Sequence, residues 1–148
     1  MKQQVLLLLC LAPLITHAQA PKDPLAKALI GEWRNIYVRI NIRDKVMEAD
    51  SSNWETRLHI KPIRTHFQAD GTYYSEYRNL QDSIVRKPSG TWTLKGDSLT
   101  MSQLQPEPMQ MTLQLRIEKD VATFTGLIDF DGDGKTNDLY YGLQRKYR

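Results

Sequence analysis

Hydrophobic and polar residues alternate along much of the chain. Residues 36–43 have isoleucine or valine at every second position, and similar alternation recurs at 54–61 and 109–118. Successive side chains of a β-strand point to opposite faces of its sheet, so each run would bury one face. Pro62 is expected to end the second run because proline has no N–H to donate to a neighbouring strand. The pattern therefore predicts three half-buried strands.

Short turn sequences separate other strand-like segments. Residues 69–71 (Ala-Asp-Gly) and 95–97 (Lys-Gly-Asp) each contain a glycine, which readily adopts the positive φ of tight turns, so each predicts a β-hairpin. Residues 24–29 are rich in alanine and leucine and predict one short helical turn, with Asp23 as its N-cap. The remaining predicted strands span residues 63–68, 72–78, 91–94, 98–102, 121–128 and 139–147.

These elements predict an all-β domain of about eight or nine strands. Because most connections are short, strands adjacent in sequence should pair antiparallel in an up-and-down meander. Closing such a sheet into a β-barrel removes its exposed edges. A two-sheet β-sandwich would show the same alternation, so the pattern leaves both architectures open. The length of 148 residues suits one domain, expected over residues 21–148.

The first 20 residues have the features of a signal peptide. Lys2 precedes an apolar run at residues 5–15, and Ala18 and Ala20 are the small residues that a signal peptidase selects, so we expect cleavage after Ala20. The apolar run is shorter than the roughly 20 residues of a transmembrane helix, so no stable membrane span is predicted. The protein is expected to be exported, to the periplasm or the extracellular space.

Cysteine content and charge exclude several classes of function. Cys10 is the only cysteine and lies in the predicted signal peptide, so the mature chain would have neither a disulfide nor a catalytic thiol. The formal net charge is +3, with acidic and basic residues interspersed. Arg145, Lys146 and Arg148 form the only basic cluster, which is too small to predict nucleic-acid binding.

Three motifs resemble those of bacterial lipocalin-like proteins. Residues 29–33 (Leu-Ile-Gly-Glu-Trp) resemble the Gly-x-Trp motif that opens the first lipocalin strand, and residues 67–73 and 90–99 are similar to hairpins of the same group. The resemblance implies a β-barrel that binds a small hydrophobic molecule. It also implies that Trp33 closes the barrel floor and that Arg145 packs against it.

A binding cavity would need aromatic and aliphatic walls. Side chains of this type that are expected to point into the barrel and contact a ligand are Trp54, Leu58, Phe67, Tyr73, Tyr77, Trp92, Met111, Leu113, Phe124 and Tyr141. The same side chains could instead fill the barrel completely. The protein would then be a non-catalytic structural or interaction module of the cell envelope, with a protein partner that the sequence does not identify. Both alternatives stay open.

Residues 129–138 (Asp-Phe-Asp-Gly-Asp-Gly-Lys-Thr-Asn-Asp) resemble the first half of an EF-hand calcium loop. Tyr140 stands where such a loop has its bidentate glutamate. Crowded carboxylates repel one another unless a cation neutralises them, so the loop predicts a Ca²⁺ site that staples the last hairpin; the alternative is a polar turn. The predicted ligands are Asp129, Asp131, Asp133, the Lys135 carbonyl, Asn137 and Asp138.

Catalytic motifs are not evident. His59 and His66 are the only histidines of the expected mature chain, and they fall on different predicted strands without the spacing of a zinc site. No serine lies in a nucleophile-elbow sequence, and no glycine-rich phosphate loop is present. We therefore expect a binding protein rather than an enzyme, and no organic cofactor.

Overall fold

The structure is a computed structural model that describes residues 23–147. The predicted signal peptide at residues 1–20 lies outside them. Within this range the chain forms two short helices, α1 (Pro24–Leu29) and α2 (Trp54–Leu58). It also forms ten strands: β1 (Gly31–Ile42), β2 (Lys45–Asp50), β3 (Arg64–Phe67), β4 (Thr72–Arg78), β5 (Ile84–Arg86), β6 (Ser89–Lys95), β7 (Ser98–Gln105), β8 (Met109–Glu118), β9 (Val121–Ile128) and β10 (Asp138–Lys146).

Eight of these strands form a closed antiparallel β-barrel. Their order is β10-β9-β8-β7-β6-β4-β3-β1, and β1 pairs with β10 to close the ring. The closing register runs from Trp33 opposite Lys146 to Asn41 opposite Leu139. Strands β2 and β5 pair with β1 and β4 and lie outside the ring. The predicted up-and-down barrel is therefore confirmed, and the β-sandwich alternative is not.

The predicted turns and helix cap are also confirmed. Residues 69–71 connect β3 to β4, and residues 95–97 lie at the turn between β6 and β7, where Lys95 pairs with Ser98. The Asp23 carboxylate accepts hydrogen bonds from the backbone N–H groups of Leu25 and Ala26, at 2.7 and 3.1 Å. This capping satisfies two N–H groups that a helix leaves without a partner in its first turn.

The strand predicted at residues 54–61 is wrong, because this segment begins with helix α2. Trp54 is 2% exposed and packs with Val38, Ile40 and Ala49, and Leu58 packs against the same cluster. Trp54 and Leu58 are four residues apart, so they lie on one side of a helix as readily as on one face of a strand. The short apolar pattern fits both elements, and packing against β1 and β2 selects the helix.

The barrel floor lies at the end covered by α1. Trp33 and Leu29 are fully buried there, and the indole Nε1 of Trp33 donates a hydrogen bond to the Leu29 carbonyl at 2.6 Å. The residue that packs on Trp33 is Lys146, whose Nζ lies 5.2 Å from the ring centroid, and not Arg145 as expected. Side chains alternate along β10, so Arg145 points outward, with its Nε 3.9 Å from Asp120.

A β-bulge in β1 changes which residues face the core. The pairing of β1 with β10 shifts between Asn35 and Tyr37, so Ile36 falls at the irregularity. Trp33 and Asn35 are buried before the bulge, and Val38 is buried after it. The alternation predicted for this strand holds only beyond the bulge.

Within residues 23–147, no helix is long and apolar enough to cross a membrane.

Candidate functional site

The barrel encloses a cavity of about 440 Å³. Its lining begins at Phe67 and Tyr73, which are buried near the floor, and ends at Arg86, Met109 and Phe130, which are exposed at the other end of the barrel. We call this exposed end the rim. Because α1 and Trp33 close the floor, the cavity opens toward the rim.

Six of the ten residues predicted to contact a ligand line this cavity. They come from β3, β4, β8 and β9, whose inward side chains the alternation identified correctly. The six are Phe67, Tyr73, Tyr77, Met111, Leu113 and Phe124.

The other four lie elsewhere. Trp54 and Leu58 belong to the cluster between α2 and β1. Trp92 is buried in the main core, where its ring and that of Phe67 are perpendicular with centroids 6.0 Å apart, and its Nε1 donates a hydrogen bond to the Gln68 carbonyl at 3.1 Å. Tyr141 is 38% exposed on the outer surface and packs edge-on against Tyr37.

Strand β10 carries its more polar face inward, which explains the position of Tyr141. The outward row contains Leu139 and Tyr141, and Leu139 is 49% exposed. The inward row contains Asp138, Tyr140 and Gln144, and Asp138 and Gln144 are buried. Assigning the more hydrophobic row to the interior therefore selects the wrong face of this strand.

One wall of the cavity is mostly apolar; its buried polar residue is Gln103 of β7, whose Nε2 donates a hydrogen bond to the Glu107 carbonyl at 2.7 Å. Strands β7, β8 and β9 contribute the buried side chains of Met101, Leu113 and Phe124, and the partly buried Met111 and Ile128. Methionine side chains are flexible and polarizable, so they adapt to ligands of different shape. This wall can contact an apolar molecule without presenting a charged group to it.

The opposite wall carries buried polar side chains, which the sequence reasoning missed. We call them the polar belt: Asn35 and Gln144, which are opposite each other on β1 and β10, Thr65 and Ser75, which are opposite each other on β3 and β4, and Tyr140. Asn35, Thr65, Ser75 and Gln144 are each at most 9% exposed. The sequence contains one indication of these residues: the alternation of side chains places each of them on the inward face of its strand.

Some polar groups of the belt have hydrogen-bond partners within the belt. The hydroxyl groups of Thr65 and Ser75 are 2.9 Å apart, and the Asn35 side chain lies near the Tyr140 hydroxyl. The Oε1 atom of Gln144 is buried and has no hydrogen-bond partner among the described residues. A buried acceptor of this kind is unusual, since buried polar atoms in folded proteins normally have a partner.

A glycine makes room for the tyrosine of the belt. Tyr140 and Gly142 lie two residues apart on β10, and the Tyr140 ring crosses the space that a side chain at Gly142 would fill. A Cβ atom there would overlap the Tyr140 hydroxyl and ring. Gly142 therefore allows the phenol to lie along the cavity wall.

The interior of the cavity is electrically neutral. Burial raises the pKa of Tyr140 and of Tyr77, and it raises the pKa of Tyr73 to about 12, so all three phenols keep their protons at neutral pH. Among the described residues that line the cavity, the charged ones are Arg86 and Asp129, and both lie at the rim. The Arg86 guanidinium lies 5.6 Å from the Tyr77 ring centroid.

Three carboxylates of the acidic loop converge beside the rim. Asp129, Asp131 and Asp138 each place an oxygen within 4.8 Å of the others. Asp138 is 1% exposed and accepts hydrogen bonds from the backbone N–H groups of Phe130 and Asp131, at 2.8 and 3.2 Å. The Oδ1 atom of Asp129 is buried and has no hydrogen-bond partner among the described residues. These three residues could hold a metal ion.

The other predicted ligands lie apart from this group. Asp133 faces Arg43, whose Nη2 is 3.0 Å from an oxygen of Asp133 and 3.0 Å from an oxygen of Asp131. Lys135 and Asn137 are exposed, and the Lys135 carbonyl accepts a hydrogen bond from the Asn137 N–H. The sequence reasoning missed Arg43 because it lies on the distant β1–β2 turn.

Comparisons with known proteins support the fold. No protein-family model and no curated protein matches the chain. It is similar to the crystal structure of a lipocalin-like protein from Bacteroides uniformis, with a TM-score of 0.52 and 14% identity, covering 81% of this chain and 99% of that one. It is also similar to an uncharacterized protein from Bacteroides eggerthii, with a TM-score of 0.51 and 15% identity, covering 80% and 98%. The chain therefore has the bacterial lipocalin-like fold that its motifs predicted.

Proposed function

We propose that the protein binds a small, largely apolar molecule inside its barrel. The observation that carries this proposal is the cavity of about 440 Å³ with one apolar wall and one polar wall. Ligand cavities commonly have volumes of roughly 300–1,000 Å³ and combine apolar walls with a few polar groups that orient the ligand. A completely filled barrel would leave no such space, so the cavity favours the carrier over the filled structural module.

A fluorescent dye tests this proposal. N-phenyl-1-naphthylamine becomes bright in apolar surroundings, so saturable enhancement would report binding in the cavity. Met111→Trp should weaken dye binding at least about tenfold, because the larger ring occupies the space in front of the apolar wall. Thr112→Trp is the matched control, since Thr112 is the next residue of β8 and points outward. Equal dye affinity in the two variants, or no saturable binding to the wild type, would contradict the proposal.

We also propose that the protein acts after export. The support is the sequence of residues 1–20, in which a basic start, an apolar run and two small residues precede Pro21. Expression of the full chain in a Gram-negative host, followed by fractionation and N-terminal sequencing, provides the test. We expect extracytoplasmic protein that begins at Pro21. Full-length protein retained in the cytoplasm would contradict export without affecting the cavity.

As a second candidate function, we propose that Asp129, Asp131 and Asp138 bind Ca²⁺. The support is the convergence of their oxygens within 4.8 Å, together with the buried Oδ1 of Asp129. Calcium prefers carboxylate and carbonyl oxygens at roughly 2.3–2.6 Å, and oxygens that share one ion lie a few ångströms apart. A bound ion would tie the loop between β9 and β10 together beside the rim.

Thermal unfolding with Ca²⁺ or with a chelator tests the metal site. A ligand that binds only the folded state raises the melting temperature, so Ca²⁺ should stabilise the wild type. Asp129→Asn should abolish this increase. Asp120→Asn should keep it, because Asp120 is a half-exposed aspartate outside the loop. If Ca²⁺ leaves the wild-type melting temperature unchanged, the loop is a polar turn.

A further inference from the structure

We propose that the molecule bound in the cavity carries an uncharged hydrogen-bond donor, such as a hydroxyl or an N–H group, and places it against the side-chain oxygen of Gln144. This inference rests on the proposed carrier function and deepens it. It specifies the chemistry of the ligand and the depth at which its polar group lies. The ligand would then be an amphipathic molecule that enters with its polar end first and turns its apolar part toward β7, β8 and β9.

Gln144 has unfilled hydrogen-bonding capacity. The residue lines the cavity and is 9% exposed, and its Oε1 is buried without a partner among the described residues. A ligand donor reaches this oxygen when the carboxamide turns about its last side-chain torsion, which is soft. A carbonyl oxygen removed from water without a replacement partner costs free energy. A ligand that donates a hydrogen bond to this oxygen recovers that free energy, whereas a ligand without a donor does not.

The neighbouring groups of the polar belt face one another. Asn35 lies opposite Gln144 with its side chain near the Tyr140 hydroxyl, and the hydroxyls of Thr65 and Ser75 bond with each other. Gln144 is the residue of the belt with a buried acceptor that lacks a partner among the described residues.

The charged residues of the cavity lining lie away from Gln144. Arg86 and Asp129, the charged residues of the described lining, lie at the rim, whereas Gln144 lies deep in the barrel opposite Asn35. An ionised group placed beside Gln144 would lose its hydration without meeting a charged residue of the described lining, which is strongly unfavourable. The group that contacts Gln144 is therefore neutral.

Three naphthalene derivatives of nearly equal size test the inference by displacement of N-phenyl-1-naphthylamine. 2-Naphthol has a neutral donor, 2-methoxynaphthalene has none, and 2-naphthoate is an anion at neutral pH. The wild type should bind 2-naphthol about tenfold more tightly than 2-methoxynaphthalene, as expected for one buried hydrogen bond. It should bind 2-naphthoate more weakly than 2-naphthol.

Two matched variants locate this preference. Gln144→Met keeps the length of the side chain and removes the acceptor, so the ratio of the two affinities should fall to about one. Gln114→Met makes the same change at an exposed position on β8 and should leave the ratio as in the wild type. Each competitor constant is calculated with the dye affinity of the same variant, so any loss of dye binding cancels from the ratio.

A measurement on the wild type keeps the inference testable if Gln144→Met does not fold. The side-chain amide of Gln144 gives its own nuclear magnetic resonance signals, and 2-naphthol should shift them more than 2-methoxynaphthalene does. If the dye binds but the affinity ratio is the same in the wild type and in Gln144→Met, the donor inference is wrong and the carrier function stands. If 2-naphthoate binds more tightly than 2-naphthol, the ligand is not neutral at this depth. If the dye and all three compounds fail to bind, the carrier function and this inference both fail.

Discussion

The ammonium group of Lys146 lies 5.2 Å from the ring centroid of Trp33, across the seam where β10 closes the barrel against β1. The same Nζ donates a hydrogen bond to the Ala28 carbonyl at 2.6 Å. Lys146 therefore connects three parts of the floor: the end of α1, the first residues of β1 and the last residues of β10. A cation over an indole ring and a charge-assisted hydrogen bond each stabilise a fold by about 1 kcal/mol or more where water is partly excluded.

We predict that Lys146→Met lowers the free energy of unfolding by about 1–2 kcal/mol, measured by urea denaturation. Arg145→Met is the matched control, because Arg145 is the preceding residue and points into solvent. It should change the stability by less than about 0.5 kcal/mol. Equal losses in the two variants would show that Lys146 has no special role in closing the barrel.

The sequence predicted the ring of strands well because most of it obeys one rule, the alternation of buried and exposed side chains. The rule fails where the interior is polar. On β10 the buried row holds Asp138 and Gln144, and the exposed row holds Leu139 and Tyr141. Hydrophobicity alone cannot reveal this inversion, since it arises from the polar belt that β10 shares with β1.

The elements outside the ring were missed for a different reason. Strand β2 begins with exposed Lys45 and Val46, and all three residues of β5 are exposed, so neither has the alternation of a half-buried strand. They form because β1 extends beyond its pairing with β3 and β4 extends beyond its pairing with β6, which leaves free edges. The apolar residues of α2 are too few to distinguish a helix from a strand. Tertiary packing determines β2, β5 and α2, and this packing cannot be read from the sequence alone.

We predict that Gly142→Ala destabilises the protein by about 1–3 kcal/mol, because the new methyl group overlaps the Tyr140 ring. In a Tyr140→Leu background the ring is absent, so the same substitution should cost much less. Urea denaturation of the four proteins in this cycle measures the coupling between the two residues. If Gly142→Ala costs the same in both backgrounds, the loss comes from the backbone and not from the contact with Tyr140.

Alkaline pH should unfold the protein through its buried phenols. An unfolded tyrosine has a pKa of about 10, and burial raises the pKa of Tyr73 to about 12 and that of Tyr140 as well. The folded state therefore keeps protons that the unfolded state releases. This contribution is fully present below pH 10 and is lost as the pH rises from 10 through 12.

The pH dependence can be measured by urea denaturation across this range. The free energy of unfolding should fall more steeply with pH in the wild type than in Tyr73→Phe, which has one buried phenol fewer. Tyr141→Phe should keep the wild-type slope, because Tyr141 lies on the outer surface. Other groups titrate in the same range in all three proteins, so only the differences between the slopes are diagnostic. A wild-type slope in Tyr73→Phe would contradict the assignment.

The ion pair between Arg43 and the acidic loop predicts competition with Ca²⁺. Hydrogen bonding and charge from Asp133 and Asp131 raise the pKa of Arg43, so the guanidinium stays charged beside two of the loop carboxylates. It neutralises part of the negative charge that would attract a cation, and it engages an oxygen of Asp131, one of the three convergent residues. Arg43→Gln removes this positive charge and leaves a polar side chain of similar size.

We therefore expect Arg43→Gln to bind Ca²⁺ several-fold more tightly than the wild type, measured by isothermal titration calorimetry. Without Ca²⁺ the variant should unfold at a slightly lower temperature, because the loop carboxylates then repel one another without a counter-charge. With saturating Ca²⁺ the difference should shrink or reverse. Arg39→Gln is the control, since Arg39 is exposed on β1, four residues before Arg43, and contacts Asn41 instead of the loop. Tighter binding in both variants would indicate a general effect of net charge, and unchanged affinity in Arg43→Gln would exclude competition at Asp131.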